Sequence, residues 1–305
     1  MTAKEKVVVL LGPTATGKSF CGLEIAKRLG GEIISGDSML VYKGMNIATA
    51  KPTEEELKMV PHHLVNILEP EAAFNVVDFK NRAAALITEI TSRGKLPIIV
   101  GGTGLYLKAL LEDYNFSQVG VKSDLRQQLE EMASRDGRLA LHQKLEALSP
   151  EAAAKLPVND IQRVIRAIEV ALEGDKVSEE RSGTLAYDAQ VFGLTMDRAK
   201  LYERINQRVE AMVTAGIFEE TKGLMEQGVP LSCQSMRSIG YRQIAQYYQG
   251  EFTREEAIEK LKQATRNFAK RQLTWYRQMP YIHWFDLSTE PNYQEIIRII
   301  INYLN

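Results

Sequence analysis

Residues 7–19 read VVVLLGPTATGKS, and this stretch decides the fold. Gly12, Gly17, Lys18 and Ser19 match G-x-x-x-x-G-K-[ST], set between an all-aliphatic run and a stretch with helical spacing. Glycines let a backbone wrap a phosphate with its amides, and a helix N-terminus adds a favourable dipole. Gly12, Pro13, Thr14, Ala15, Thr16, Gly17, Lys18 and Ser19 therefore form a candidate phosphate cradle. Lys18 supplies a point charge there, and the Ser19 hydroxyl is a candidate ligand for Mg²⁺. The motif specifies phosphate and leaves open which phosphate compound it grips.

Outward from the loop, short apolar runs at 6–11, 32–36, 64–68 and 96–100 predict strands. Helical spacing at 18–29 and 77–93 separates them, so the pattern predicts an α/β fold with a doubly wound parallel sheet, like that of P-loop NTPases. From about 124 to 173 the units LRQQLEEM, LALHQKLEAL and IQRVIRAIEVALEG are amphipathic helices with no strand among them. DAQVFGLTM at 188–196 then reads as a strand again. We expect a helical insertion domain at 116–185 within a core made of 1–115 and 186–305. Helices at 198–215, 218–227 and 254–277, a strand at 281–287 and a closing helix complete the core.

The 305 residues carry a formal net charge of -1, so any affinity for nucleic acid must come from a local patch. Cys21 and Cys233 are far apart and lack metal-ligand spacing, so neither zinc nor a disulfide framework is expected. His62 and His63 find no third ligand, so structural or capping roles are expected for them. No apolar stretch reaches membrane-spanning length, and the expectation is a cytoplasmic protein. The strand LPIIV at 96–100 ends in GGTG, without the carboxylate that positions Mg²⁺ in many phosphate-loop enzymes. The nearest acid is Asp37, in IISGDS. In an open α/β sheet Asp37 and Thr103 should both face the loop; a helix cap or turn is the lesser alternative for Asp37.

GPTATGKS, GDSMLVYKGMNIATAKPT, PHHL, VGGTGLYLKALL, NDIQRVIRAIEV, MRSIGYRQ and KRQLTWYRQ occur in the order found in tRNA dimethylallyltransferases. From residue 7 to about 287 the chain resembles the bacterial type of that family. Gly36 stands where the family usually has a larger aliphatic residue, and Asn46 and Ala48 replace an Asp and a Gly.

The resemblance implies transfer of a dimethylallyl group from dimethylallyl diphosphate to N6 of the adenine 3′ of the anticodon. It implies Mg²⁺, with Asp37 as general base and Arg237 as catalytic arginine beside Lys18 and Ser19. It implies tRNA contacts at Asp37, Ser38, Met39 and Leu40, with Thr103 near the nucleotide. Further contacts would come from Gln162, Arg163, Val164, Ile165 and Arg166, and from Arg126. Near the C-terminus Arg266, Lys270, Arg271 and Arg277 interleave with Phe268, Trp275 and Tyr276, and basic and aromatic residues at helical spacing suit phosphate contact and base stacking. The partners implied are the tRNA anticodon stem-loop and dimethylallyl diphosphate; no membrane partner is expected, and since nothing in the mechanism requires more than one chain, a monomer is expected. A small-molecule kinase and a nucleotide-gated RNA-binding protein share the phosphate loop and stand as the alternatives.

Overall fold

The computed structural model describes residues 4–114, 116, 123–174, 184–288 and 292–304. Along the chain, β1 (Lys6–Leu11), α1 (Lys18–Leu29), β2 (Glu32–Ser35), α2 (Glu54–Met59), β3 (His62–His63), α3 (Val76–Ser92), β4 (Pro97–Gly101) and α4 (Gly104–Leu111) come first. Four helices follow: α5 (Ser123–Arg135), α6 (Arg138–Leu148), α7 (Pro150–Lys155) and α8 (Ile161–Leu172). The chain then runs through β5 (Asp188–Thr195), α9 (Arg198–Thr214), α10 (Ile217–Glu226), α11 (Tyr241–Tyr248), α12 (Arg254–Tyr276), β6 (His283–Asp286) and α13 (Tyr293–Leu304).

All strand pairs are parallel, in the order β3-β2-β4-β1-β5-β6. The aliphatic run of β1 explains its central place, because both of its faces are covered. Val7, Val9 and Leu11 enter a core with Phe79, Ile87 and Leu107 from α3 and α4. Val8 and Leu10 enter a second core with Ile25 of α1 and Ile297 of α13. Alternate residues of one strand thus feed two helical layers, which is what double winding requires.

One expected strand is corrected. The run at 64–68 is not a strand: Leu64 and Asn66 take φ of 60° and 55°, which breaks an extended ladder. The strand is the preceding pair, His62 and His63, in register with Ile33 and Ile34. His63 Nε2 lies 2.8 Å from Glu32 and His62 Nδ1 lies 2.7 Å from the Val60 carbonyl, so both imidazoles are tied to the sheet edge.

Two compact units result, Met1–Asp113 with Leu185–Asn305, and Tyr114–Thr184. The second has its own core, built from Leu129, Leu141, Leu145, Val164, Ile165 and Ile168. Among the described residues no helix is long and apolar enough to cross a membrane.

Candidate active site

A cavity of about 390 Å³ opens over the carboxyl ends of β1, β2 and β4. Its floor is Thr14, Lys18 and Ser19 of the phosphate loop with Asp37, Val100 and Gly101 of the strand ends. One wall carries Ser38, Met39 and Leu40, then Ala48, Thr49 and Ala50. Arg208 and Met212 of α9, then Arg237, Ser238, Ile239 and Arg242, and Leu261, Thr265, Phe268, Arg271 and Gln272 of α12 complete the lining. The α12 residues recur at helical spacing, so a single face of that helix lines the cavity.

The loop is bent and braced by distant parts of the chain. Gly17 is the N-cap of α1 at φ 84°, and a Cβ there would stand 2.7 Å from the Tyr293 ring. The Tyr293 hydroxyl donates to the Thr16 carbonyl at 3.2 Å. Gln272 accepts from the Thr14 amide at 3.0 Å and donates to the Gly102 carbonyl at 2.8 Å. The buried Tyr276 hydroxyl lies 3.1 Å from the Gly12 carbonyl and 3.0 Å from that of Gly102. Two side chains of α12 therefore stitch the loop after β1 to the loop after β4.

Asp37 sits on a turn held from α4. Its Oδ1 accepts from the Met39 amide at 2.8 Å, while the Ser38 amide donates to Thr103 Oγ1 at 3.1 Å. Thr103 does not line the cavity; it fixes the segment that does. Gly36 also has a local reason: Leu107 Cδ2 stands 2.7 Å from where its Cβ would be, filling the space a larger residue would take.

The electrostatics are one-sided. Lys18, Arg208, Arg237, Arg242 and Arg271 line the cavity against the single carboxylate of Asp37. A chain of net charge -1 thereby concentrates cations at one place. Burial, and then the Arg208 charge, lower Lys18 to about 8, with Asp37 opposing. Burial also lowers Arg208, again opposed by Asp37. Two desolvated cations in mutual repulsion above a helix N-terminus form a site that an anion relieves.

The other sequence-based candidates separate. Arg237 lines the cavity and is exposed; Lys270 is exposed but absent from the lining, whereas Arg271 is in it and lies over Phe268 at 5.8 Å. Trp275 is corrected from a base-stacking surface residue to a half-buried one, packed where a Cβ on Gly104 would stand 2.5 Å away. Val164 and Ile165 are likewise corrected: both are fully buried in the core of the four-helix unit and present no side chain to a partner. Their neighbours Gln162 and Arg163 are exposed. Arg126 and Arg166 share the buried carboxylate of Glu169, at 2.9 and 3.4 Å.

Arg208, Met212, Arg242 and Gln272 escaped sequence reading. A signal existed for Arg208 and Met212, each three residues beyond a buried member of the α9 stripe, Ile205 and Val209. An arginine flanking an apolar stripe in a charged helix has a partner to meet in the fold.

Comparison with known proteins places the chain in a family. A family model described as IPP transferase matches residues 40–279. The tRNA dimethylallyltransferase of Geobacillus thermodenitrificans is 46% identical over 304 residues, covering 98% of this chain and 96% of that one. That of an Exiguobacterium species is 48% identical over 296 residues, covering 96% and 95%. Among solved structures, a tRNA isopentenylpyrophosphate transferase of Bacillus halodurans aligns with a TM-score of 0.73 at 45% identity, covering 99% and 97%. A eukaryotic dimethylallyltransferase acting on tRNA aligns with a TM-score of 0.82 at 29% identity, covering 98% of this chain and 79% of that one. The chain belongs to the IPP transferase family.

Proposed function

We propose that this chain transfers the dimethylallyl group of dimethylallyl diphosphate to N6 of the adenosine 3′-adjacent to the anticodon of tRNA, releasing diphosphate. One observation carries the reading: a phosphate loop, a ring of cations and a single carboxylate share one cavity. The allylic C1–O bond breaks and its electron pair leaves on the diphosphate. Loop amides, Lys18 and Arg208 face the place where that charge gathers. Adenine N6 forms the new bond to C1, and its proton passes to Asp37. That carboxylate already accepts the Met39 amide on one oxygen and has further lone pairs to offer.

Mg²⁺ fits the donors present. Ser19 offers a hard hydroxyl oxygen beside the phosphate cradle, and among the described residues no cluster of three His, Cys, Asp or Glu competes for it. Mg²⁺ commonly takes few protein ligands and completes its shell with water and substrate phosphates. Bound by Ser19 and the diphosphate, it would neutralise leaving-group charge.

Arg237, in the same cavity as Lys18, adds its charge to the stabilisation of the leaving group. Arg242 and Arg271 supply the tRNA phosphate contacts around the cavity, and Ser38–Leu40 faces the unstacked base. Arg126, Gln162, Arg163 and Arg166 serve the tRNA from the helical unit. One chain contains every group the reaction uses, so the protein acts as a monomer, in the cytoplasm where its acceptor is found. The direct test is incubation with Mg²⁺, dimethylallyl diphosphate and unmodified tRNA, followed by mass spectrometry of the nucleosides. N6-(dimethylallyl)adenosine is the expected product; its absence sinks the proposal.

The lowered Lys18 gives a pH dependence with a definite sign. Its charge holds the diphosphate, and that charge is lost as pH rises through about 8. kcat/KM for the donor, which reports the free enzyme, falls on this basic side. Lys18→Arg, charged throughout, removes the limb; a wild-type profile flat through this range rules out the assignment.

Arg271 and Lys270, adjacent in sequence, should also behave differently. Arg271→Ala weakens tRNA binding by roughly tenfold and lowers the salt slope by about one counterion. Lys270→Ala, on the face turned from the cavity, changes either less. Equal slopes for both variants would place the RNA elsewhere.

A further inference from the structure

Glu220, on α10, does not line the cavity, yet three groups that shape the cavity's walls converge on its carboxylate. The Asn46 amide donates to Oε2 at 2.9 Å, and the Ile47 amide donates to Oε1 at 3.0 Å. The Tyr241 hydroxyl donates to Oε1 at 2.5 Å. Ala48, Thr49 and Ala50 follow directly on the first two; Arg237, Ser238 and Ile239 precede the third, and Arg242 follows it. Burial, then the Glu220 charge, push the Tyr241 phenol up, so it remains a donor, and the Ala48 backbone bonds to the same phenol.

The two segments also touch. Gly240 has φ 103°, and a Cβ there would stand 2.5 Å from Ala48 Cβ, so the approach needs a residue without a side chain. Lys51 closes the far end of the 46–51 turn with bonds to the Tyr42 carbonyl and to Asn66 Oδ1 at 2.6 Å. The backbone of the turn is fixed at both ends. That leaves the Asn46 side chain free of this duty, consistent with its departure from the family's Asp.

We infer that Glu220 is a positioning residue for the reaction: its carboxylate clamps the 46–50 turn to the Arg237–Arg242 segment and sets the width of the cavity on the side away from the phosphate loop. The inference rests on the prenyl-transfer reading, and it places Glu220's effect on the acceptor and not on the diphosphate. A glutamine cannot replace this clamp, because its amide offers one acceptor oxygen where the carboxylate offers two, and its NH₂ faces donors.

The test compares Glu220→Gln and Tyr241→Phe with wild type. Glu220→Gln should raise KM for tRNA about tenfold, with affinity for inorganic diphosphate unchanged. Tyr241→Phe, which keeps both amide bonds, should raise KM for tRNA about threefold. Hydrogen exchange at the Asn46 and Ile47 amides should quicken by roughly tenfold in Glu220→Gln. A structural defect alone would lower the active fraction and leave KM unmoved. Unchanged KM for tRNA in both variants overturns the inference, as does unaltered exchange at the two amides. If Glu220→Gln fails to fold, Tyr241→Phe decides by its KM. If wild type itself makes no prenylated tRNA, the functional reading fails, while the exchange measurement still judges the clamp.

Discussion

Asp37→Ala should slow single-turnover prenyl transfer by about 10³-fold, with tRNA and dimethylallyl diphosphate bound within about threefold of wild-type affinity. The adenine amine is a poor nucleophile because its lone pair is delocalised into the ring. Bond formation to C1 leaves a proton that needs an acceptor, and Asp37 is the only carboxylate among the residues lining the cavity. Alanine also deletes the bond to the Met39 amide, so a loss of rate could come from a collapsed turn. Asp37→Asn separates the two effects. An asparagine oxygen still accepts the Met39 amide and holds the turn, but it cannot take a proton at neutral pH. Rapid-quench measurement should find the asparagine variant nearly as slow as the alanine one. An asparagine variant close to wild-type rate would reduce Asp37 to a turn residue.

Arg208→Ala carries the second large effect, a loss of about 10² to 10³ in kcat/KM for the donor. The guanidinium is desolvated near Lys18 and Asp37, so its charge acts on the diphosphate with little screening. The same substitution has a second consequence of opposite sign. Arg208 helps to depress Lys18, so its removal lets Lys18 hold its proton to higher pH. The basic limb of the variant's pH profile should therefore move upward while its plateau falls. A fallen plateau with an unmoved limb would mean that the two cations do not share one field.

The fold was legible where burial on two sides leaves a compositional mark. β1 and β4 are almost wholly aliphatic, and the glycine-rich loop after β1 admits few conformations. The short β3 carried no such mark. His62 and His63 are half-buried at the sheet edge, and the more apolar run after them is turned out of the strand by two left-handed residues.

At the site, Lys18, Ser19 and Asp37 could be named because they sit on or beside motifs of local chemistry. Arg208, Gln272 and Glu220 could not, since each acts on a loop distant in sequence and looks like an ordinary helix residue until the chain is folded. Trp275 and Tyr276 show the converse. Their aromatic character pointed to base stacking, but Trp275 packs on Gly104 and Tyr276 holds the phosphate loop. Val164 and Ile165 fell inside a motif whose exposed members alternate with its core members, as an amphipathic helix demands.

In the proposed reaction the loop GPTATGKS holds a diphosphate that leaves as the acceptor is alkylated, and does not serve ATP turnover. Simultaneous measurement of released diphosphate and of modified adenosine tests it most directly. With tRNA, Mg²⁺ and dimethylallyl diphosphate, the expected result is one diphosphate per modified adenosine, and essentially none when tRNA is omitted. Phosphate released from ATP in step with product, or diphosphate released equally well without tRNA, would contradict it.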